Sequence, residues 1–397
     1  MNYFLCNLLD FGSPMNIGIA CYPTYGGSGV LASELGKSLA ERGHRIHFIS
    51  YAMPARLSGF VGNIFYHEVE ISSYPLFDFP LYTPALASKI VEVSKFEKLD
   101  IIHAHYAIPH ATSAYLAKQI LGKDNLKIVT TLHGTDITLV GLEPSYQSVM
   151  KFSIEQSDGV TAVSRFLKEK TLTNYNIQKD IVVIPNFIDP RKYQRTDASA
   201  IRERIAPKGE KVLVHVSNFR LVKRVPDAIR IFQLVRQKLP AKLILIGDGP
   251  DRSVCENLAR ELNVEKDITF VGKQTEIVPL LSASDLFLMP SQSESFGLSA
   301  LEAMACELPV VSSSVGGLPE LVVHGETGYI AEIGDIDRMS KYAIELLTNT
   351  TRYNFFAEAS RKRAVEMFPV DKMVDRYEQY YRAVLDGKTK PIVSPEN

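Results

Sequence analysis

Short apolar runs alternate with stretches of helical periodicity along most of the chain. Within residues 29–42, for example, Leu31, Leu35 and Leu39 recur at the spacing of one helix face. Strands that alternate with helices in this way are typical of an α/β fold with a doubly wound parallel sheet. In the first half the apolar runs predict strands at 17–22, 46–50, 64–69, 101–105, 128–132 and 159–163.

The second half of the chain repeats this pattern. Because 397 residues exceed what one hydrophobic core usually supports, we predict two Rossmann-like domains, 15–187 and 188–368. The join at 184–192 contains two prolines and is a candidate hinge. Two such domains facing a central cleft can each hold a substrate at the carboxyl ends of their strands. The elements predicted here are strands at 212–217, 242–247, 268–271, 286–290 and 310–313, and helices at 226–238, 251–262, 276–283, 297–306 and 336–348.

Composition narrows the class of protein. The formal net charge is -1, with 44 basic and 45 acidic residues, which argues against nucleic acid or a polybasic membrane contact as partner. The four cysteines form no metal-binding or disulfide pattern, which favours reduced thiols in a cytoplasmic protein. No apolar run is long enough to span a bilayer, so we predict no stable membrane association. Residues 1–14 lack the basic segment of a secretory signal, and we interpret them as an extension, disordered or artificial in origin.

The most informative segment is SESFGLSALEAMA at 293–305, which follows an apolar strand and enters a helix. Glu294 lies in the predicted loop and Glu302 in the helix, while Gly297 permits close backbone approach. The N–H groups at the start of a helix attract an anion such as a diphosphate, and carboxylates can accept hydrogen bonds from sugar hydroxyls. The alternative is an ordinary helix with Ser295 as its N-cap and Glu302 exposed to solvent.

A second segment, VSNFRLVKR at 216–224, carries three cations within five residues. Arg220, Lys223 and Arg224 follow a predicted strand, where they can stabilise the charge of a departing diphosphate without reorganising. The alternative is a solvated basic helix start, although cations are disfavoured at a helix N-terminus.

Two further segments lie in the first half. The glycine-rich YPTYGGSGV at 22–30 permits a tight turn and close backbone approach, but it is neither a GxGxxG fingerprint nor a Walker A loop. A simple strand-to-helix turn is the alternative. His103 and His105 share one face of a strand, which allows a metal pair, but hydrogen-bonded strand-end histidines are the favoured interpretation.

The E-x7-E spacing of Glu294 and Glu302 resembles the signature of the family 4 retaining glycosyltransferases, and the similarity covers nearly the whole chain from Met15. The resemblance implies a GT-B fold and transfer from a nucleotide-sugar donor, without cofactor or metal. The 188–368 domain would bind the donor and the 15–187 domain the acceptor. It also implies that a final helix at 369–390 crosses back to the first domain; a packing helix of the second domain is the alternative.

The resemblance assigns roles on the donor side. Glu294 would contact the donor sugar, Glu302 would contact the ribose, and Lys223 matches the family lysine. Asn218 stands where the family has an arginine, so Arg220, two residues later, is a candidate substitute. The other residues expected to bind the donor are Gly27, Gly247, Phe296, Gly297 and Leu298.

On the side of the first domain, the resemblance places His133 against the donor sugar near the reacting centre. His133, Lys223 and Glu294 are therefore the predicted catalytic residues. Arg56 is a candidate because a guanidinium can bind a carboxylate bidentately, the alternative being a surface arginine. The predicted acceptor-binding residues are Ser28, Arg56, Tyr106, Thr131 and Thr135.

Four segments resemble one subgroup of family 4, the transferases that join N-acetylglucosamine from UDP-N-acetylglucosamine to L-malate in bacillithiol biosynthesis. These segments are IACYPTYGGSGVLASELGKSLAERGH, IIHAHYAIPHA, TTLHGTDIT and VSNFRLVKR. The expected mechanism is front-face attack by the malate hydroxyl, since no carboxylate pair is placed as in retaining glycosidases. A different acceptor, a UDP-sugar epimerase and a non-catalytic sugar-nucleotide sensor remain alternatives, and a homo-oligomer is left open.

Overall fold

The apolar runs of the sequence form two separate β-sheets. The computed structural model describes residues 13–24, 26–54, 56–57, 61–71, 79–122 and 125–388. Within these ranges one sheet has seven strands and the other has six. The predicted α/β class with two doubly wound sheets is therefore confirmed.

The first sheet has the strand order expected of a doubly wound fold. Its strands are β1 (Asn16–Ala20), β2 (Arg45–Ser50), β3 (Ile64–Glu68), β4 (Ile101–His105), β5 (Lys127–Leu132), β6 (Gly159–Ala162) and β7 (Val182–Val183). The spatial order is β3-β2-β1-β4-β5-β6-β7, and β1 to β5 pair in parallel. The helices of this half are α1 (Gly27–Glu41), α2 (Tyr82–Glu97), α3 (Thr112–Leu121), α4 (Thr135–Thr138), α5 (Pro144–Gln156) and α6 (Arg165–Tyr175).

The second sheet repeats this topology with parallel pairs throughout its described strands. Its strands are β8 (Lys211–Val216), β9 (Ala241–Ile246), β10 (Ile268–Gly272), β11 (Leu286–Met289), β12 (Val310–Ser313) and β13 (Gly328–Ala331), in the order β10-β9-β8-β11-β12-β13. Its helices are α7 (Ser199–Ile205), α8 (Val225–Arg236), α9 (Arg252–Glu261), α10 (Val278–Ser282), α11 (Leu298–Ala305), α12 (Leu318–Leu321), α13 (Ile336–Thr348) and α14 (Thr350–Met367).

The described residues divide into two compact units. Unit 1 comprises 13–161, 171–182 and 374–388, and unit 2 comprises 162–170 and 183–373. The last helix, α15 (Val370–Leu385), begins in unit 2 and belongs to unit 1 from Val374 onward. Within unit 1 its buried Tyr381 donates a hydrogen bond to Nδ1 of His103 at 2.8 Å, and Tyr380 accepts one from the backbone of Val160 at 2.7 Å.

Several predicted boundaries differ from the structure. The strand expected at 17–22 ends at Ala20, and the one expected at 286–290 ends at Met289, because the chain leaves each sheet while its sequence is still apolar. Among the elements that were not predicted are β7, β13, α7 and α12, which are short, and α14, whose apolar positions show little helical contrast. Leu31, Leu35 and Leu39 are buried as the helical spacing predicted.

Three of the predicted structural thiols, Cys21, Cys255 and Cys306, are free and buried. Burial raises the pKa of each to about 12, so all three are protonated thiols at neutral pH. Cys6 and the first twelve residues of the predicted extension lie outside the described residues. No helix in the described part of the chain is long and apolar enough to cross a bilayer.

Candidate active site

The chain order of unit 2 brings its two charged motifs together. In a doubly wound sheet, ligands bind where the strand order reverses, which in unit 2 lies between β8 and β11. Lys223 follows β8 and Glu294 follows β11, and Lys223 Nζ lies 2.7 Å from Glu294 Oε1. Ser291 donates a second hydrogen bond to the same oxygen at 2.8 Å. Glu294 is 8% exposed, so the predicted sugar-binding carboxylate is a buried, paired charge.

Neutral hydrogen bonds fix the loops that carry this ion pair. The backbone N–H of Gln292 donates to the carbonyl of Val222 at 2.8 Å, which joins the two loops directly. His215 is fully buried at the end of β8 and bonds both the carbonyl of Leu288 and the hydroxyl of Ser217 at 2.8 Å. Burial lowers the pKa of His215 to about 4, so its ring is neutral at pH 7 and acts as a rigid connection between strand ends.

Close backbone contacts around Glu294 require glycine. Gly316 has φ +58°, and a Cβ there would lie 1.7 Å from the carbonyl oxygen of Glu294. The neighbouring Gly317 donates its backbone N–H to that oxygen at 3.0 Å. Gly316 and Gly317 were not predicted as part of the site, because the glycine pair at 316–317 lies outside every motif and acts only through this tertiary contact.

The start of α11 differs from the alternative in which Ser295 is the N-cap. Gly297 occupies the N-cap with φ +97°, and a Cβ there would lie 2.5 Å from Leu318 Cδ2. Phe296 is buried against Phe368, with ring centroids 5.5 Å apart, and Leu298 is half-buried. The segment predicted to bind the diphosphate thus consists of a buried phenylalanine, a glycine and a half-buried leucine, so its backbone N–H groups are the polar groups that it can offer to an anion.

Glu302 lies one turn into α11 and is not a solvated residue, because it is 6% exposed. Its Oε1 accepts a hydrogen bond from the hydroxyl of Tyr193 at 2.6 Å. Tyr193 was not predicted as a site residue, since its segment matched no motif.

The remaining donor-side residues are placed around the loop after β8. Arg220 is exposed, whereas Arg224, at the N-cap position of α8, donates to the side chain of Asp227 in the first turn of that helix at 2.6 Å. Gly247 has φ +123°, and a Cβ there would lie 1.7 Å from the carbonyl oxygen of Ser217. The turn after β9 thus passes directly beside the loop that leads to Lys223.

In unit 1 the sheet order reverses between β1 and β4, and the glycine-rich loop and Tyr106 follow these strands. The Tyr106 hydroxyl donates to Ser28 Oγ at 2.8 Å and also hydrogen-bonds Thr135. Tyr106 has φ +91°, a strained backbone that is sparsely populated outside glycine and clusters at functional sites. A Cβ on Gly29 would lie 2.4 Å from the carbonyl of Thr24, so the start of α1 requires glycine there. These contacts bring the predicted acceptor residues Ser28, Tyr106 and Thr135 together.

Behind these residues lies a row of buried histidines. His133 Nε2 lies 2.8 Å from His105 Nδ1, and the two rings stack with centroids 5.0 Å apart. His103 is bonded on both nitrogens, by Tyr381 and by Thr131 at 2.6 Å. Burial lowers the pKa of His103 and His133 to about 3, so both are neutral at pH 7. No three or more metal-ligating side chains converge in the described ranges.

Three further predicted residues have distinct surroundings. Thr131 is fully buried, and its hydroxyl also lies 2.6 Å from that of Thr161, so it faces the interior of unit 1. Arg56 has φ +67° and lies 3.8 Å from the carboxylate of Glu34 on α1. Gly27 is the exposed first residue of α1.

One buried acid in this region was missed. Asp136 accepts hydrogen bonds from the backbone N–H groups of Gly134 at 2.9 Å and Ala107 at 3.2 Å, which ties the loop after β5 to the loop after β4. Burial raises the pKa of Asp136 to about 6. The TTLHGTD segment contained a weak signal, because aspartate side chains in loops often hydrogen-bond neighbouring backbone groups.

Comparison with known proteins agrees with this geometry. Residues 25–192 match the family described as Glycosyltransferase Family 4, and residues 197–363 match Glycosyl transferases group 1. The chain belongs to the family 4 glycosyltransferases. Among its relatives, N-acetyl-alpha-D-glucosaminyl L-malate synthase from Bacillus anthracis is 48% identical over 380 residues, which are 95% of this chain and 100% of the relative.

Solved structures share the fold. A sucrose-phosphate synthase from Thermosynechococcus elongatus has a TM-score of 0.79 at 21% identity, over 94% of this chain and 99% of that one. Anabaena Alr3699/HepE, solved in complex with UDP and glucose, has a TM-score of 0.78 at 20% identity, over 93% of this chain and 100% of that one. The predicted GT-B fold class is confirmed, and the protein is a glycosyltransferase.

Proposed function

We propose that this enzyme transfers N-acetylglucosamine from UDP-N-acetylglucosamine to the hydroxyl of L-malate, with retention of the anomeric configuration, as the first step of bacillithiol biosynthesis. The observation that carries the proposal is the 48% identity, along the whole relative, to the malate synthase of Bacillus anthracis. The paired Lys223 and Glu294 beside the start of α11 support it, because they offer a carboxylate to a sugar and a cation to a diphosphate.

On the donor side, the first step is binding of the UDP-sugar by unit 2. Backbone N–H groups at Phe296, Gly297 and Leu298 receive the diphosphate, helped by the positive end of the α11 dipole. Glu302 accepts hydrogen bonds from the ribose hydroxyls, and Glu294 accepts them from the sugar. Gly27 and Gly247 allow the backbone to approach the phosphates and the nucleotide.

As the bond between sugar and phosphate loosens, negative charge accumulates on UDP. Lys223 lies where it can stabilise this charge, and the exposed Arg220 can join it in place of the arginine that family members carry at Asn218. The hydrogen bond from Ser291 holds Glu294 when Lys223 turns toward the phosphate.

On the acceptor side, Tyr106, Ser28 and Thr135 form a cluster of hydroxyls for the malate, with Arg56 as a cation for one carboxylate. His133 is neutral and so hydrogen-bonds the sugar without adding charge, while Thr131 positions His103 behind it. The malate hydroxyl attacks from the side that UDP leaves, and a phosphate oxygen of the donor takes its proton. The protein contributes by positioning both partners and by electrostatic stabilisation.

The test is release of UDP from UDP-N-acetylglucosamine with a panel of acceptors. L-malate should accelerate release at least tenfold, whereas succinate, which keeps both carboxylates but lacks the attacking hydroxyl, should not. An inositol phosphate that accelerates release more than L-malate would establish a different acceptor, and no acceleration by any acceptor would favour a sugar-nucleotide sensor. We also propose that transfer needs no metal, so EDTA should leave the rate unchanged. A cytoplasmic location and a homo-oligomer remain predictions.

A further inference from the structure

Tyr193 holds the carboxylate of Glu302 inside unit 2. The tyrosine is 4% exposed and the glutamate 6%, and their oxygens lie 2.6 Å apart. A buried carboxylate is costly unless hydrogen bonds satisfy it, and a bond from a hydroxyl to a charged oxygen is among the stronger kinds. The Tyr193 hydroxyl therefore fixes the orientation of the Glu302 side chain.

One guanidinium contacts both the backbone of Tyr193 and the helix that carries Glu302. Arg361 on α14 donates to the backbone carbonyl of Tyr193, to that of Pro190 at 3.1 Å, and to that of Ala305 at 2.7 Å. Ala305 is the last residue of α11, the helix that carries Glu302. A cation at the carbonyl end of a helix is favourable, so this contact is stabilising as well as connecting.

The surroundings of Glu302 add a further constraint. Cys306, one turn later, is fully buried, and burial together with the negative charge of Glu302 raises the pKa of its thiol to about 12. Cys306 therefore contributes no second negative charge beside the carboxylate. The Tyr193 segment, α11 and α14 thus surround the side chain of Glu302 and are joined by hydrogen bonds.

We propose that Tyr193 is a positioning residue for the nucleotide ribose: its hydroxyl sets the plane in which the Glu302 carboxylate receives the two ribose hydroxyls. The inference rests on the proposed ribose role of Glu302 and goes beyond it by naming the residue that preorganises it. A glutamate held in its bound rotamer before the donor arrives avoids the entropy cost of ordering its side chain on binding. The loss of this order appears as weaker recognition of the ribose and not as a loss of chemistry.

The experiment compares binding of UDP with binding of 2′-deoxy-UDP to the full-length protein by calorimetry. Tyr193→Phe removes only the hydroxyl, and it should weaken UDP binding roughly tenfold while it weakens 2′-deoxy-UDP binding far less. The KM for L-malate should stay unchanged. Tyr329→Phe is the matched control, because Tyr329 also donates its hydroxyl to a glutamate of unit 2, Glu345, at 3.0 Å. This control should keep the full preference for UDP.

A Glu302→Gln variant separates the two ideas. If Glu302→Gln loses the preference for UDP and Tyr193→Phe keeps it, the positioning role is overturned and the proposed function stands. If both variants keep the preference, the ribose role of Glu302 itself is overturned. If Tyr193→Phe weakens both ligands equally and lowers the melting temperature more than Tyr329→Phe does, the hydroxyl serves stability alone and the proposal fails.

Discussion

The strand-end regions of the two units present different electrostatics to a ligand. In unit 2 the central contact is an ion pair, Lys223 with Glu294, in which the carboxylate is almost fully buried. In unit 1 the glycine-rich loop and Tyr106 follow the corresponding strands, and behind them lie His105 and His133, which burial keeps neutral. An ion pair therefore dominates the region in unit 2, whereas neutral rings and hydroxyls are the main groups of the region in unit 1.

This difference matches the two kinds of ligand in the proposed reaction. A nucleotide diphosphate gains charge as it leaves, and a preorganised cation stabilises that change most. A sugar hydroxyl near the reacting centre needs a hydrogen bond without added charge, and a histidine whose pKa is about 3 supplies it at pH 7. The contrast predicts that acid should lower the stability of unit 1 more than that of unit 2. It also predicts that removing a charged side chain should lower activity most in unit 2.

The largest effect should follow from acid. Burial holds the pKa of His103 and His133 at about 3 and of His47 and His110 at about 4, all in unit 1. As pH falls below about 6.5, the unfolded chain binds protons that the folded state excludes, which costs about 1.4 kcal/mol per pH unit for each such proton. Unit 1 should therefore lose several kcal/mol of stability between pH 6.5 and 4.5.

Two groups refine this expectation. Asp136 has the opposite sign, because its raised pKa of about 6 lets the folded state bind a proton first and so offsets part of the loss as pH falls. His215 in unit 2 has a pKa of about 4, so acid destabilises unit 2 through this residue, as it destabilises unit 1 through its histidines. Hydrogen exchange at pH 7 and pH 5 should show a larger fall in protection for peptides of β4 and β5 than for those of β8 and β11. If protection fell equally in both pairs of strands, or more in β8 and β11, the proposed electrostatic difference between the units would be contradicted.

The next largest effect should come from Lys223→Ala. Loss of the cation removes stabilisation from the leaving diphosphate, so kcat should fall by about 10²–10³ while the protein stays folded. Lys242→Ala is the matched control, since Lys242 makes an equally short 2.7 Å contact with Asp267 in the same unit. UDP release and circular dichroism measure both variants. A kcat near the unsubstituted value in Lys223→Ala would contradict the catalytic role.

How far the sequence predicts this molecule depends on whether a feature is local. The strands, the class of fold and the two motifs that carry Lys223 and Glu294 could be predicted because each lies within about ten residues. The contact between Lys223 and Glu294 was not predicted and is known only from the fold. Tyr193 reaches Glu302 across 109 positions, and Gly316 is required only by the backbone of Glu294. Contacts of this kind have no periodicity or composition signal, so they appear only when the chain has folded.

The same distinction explains why the site residues of unit 1 are harder to predict from the sequence than those of unit 2. The donor motif in unit 2 is one loop and one helix, whereas the cluster in unit 1 joins Ser28, Tyr106 and Thr135 from three separate strand-to-helix connections. The positive φ at Tyr106 leaves no pattern in the sequence beyond ordinary residue types. The acceptor therefore has to be inferred from resemblance alone, whereas on the donor side the helix start and the cation cluster independently indicate a site for a diphosphate.

The smallest effect should come from Tyr106→Phe, which tests whether the neutral region binds the acceptor. The substitution removes the hydrogen bond to Ser28 and the hydroxyl proposed to face malate, so the KM for L-malate should rise roughly fivefold to tenfold with little change in the KM for UDP-N-acetylglucosamine. Tyr175→Phe is the control, because Tyr175 also loses a buried hydroxyl, bonded to the carbonyl of Ile137 at 3.0 Å in the same unit. A rise confined to the KM of the donor would place Tyr106 with the charged region and break the division between the units.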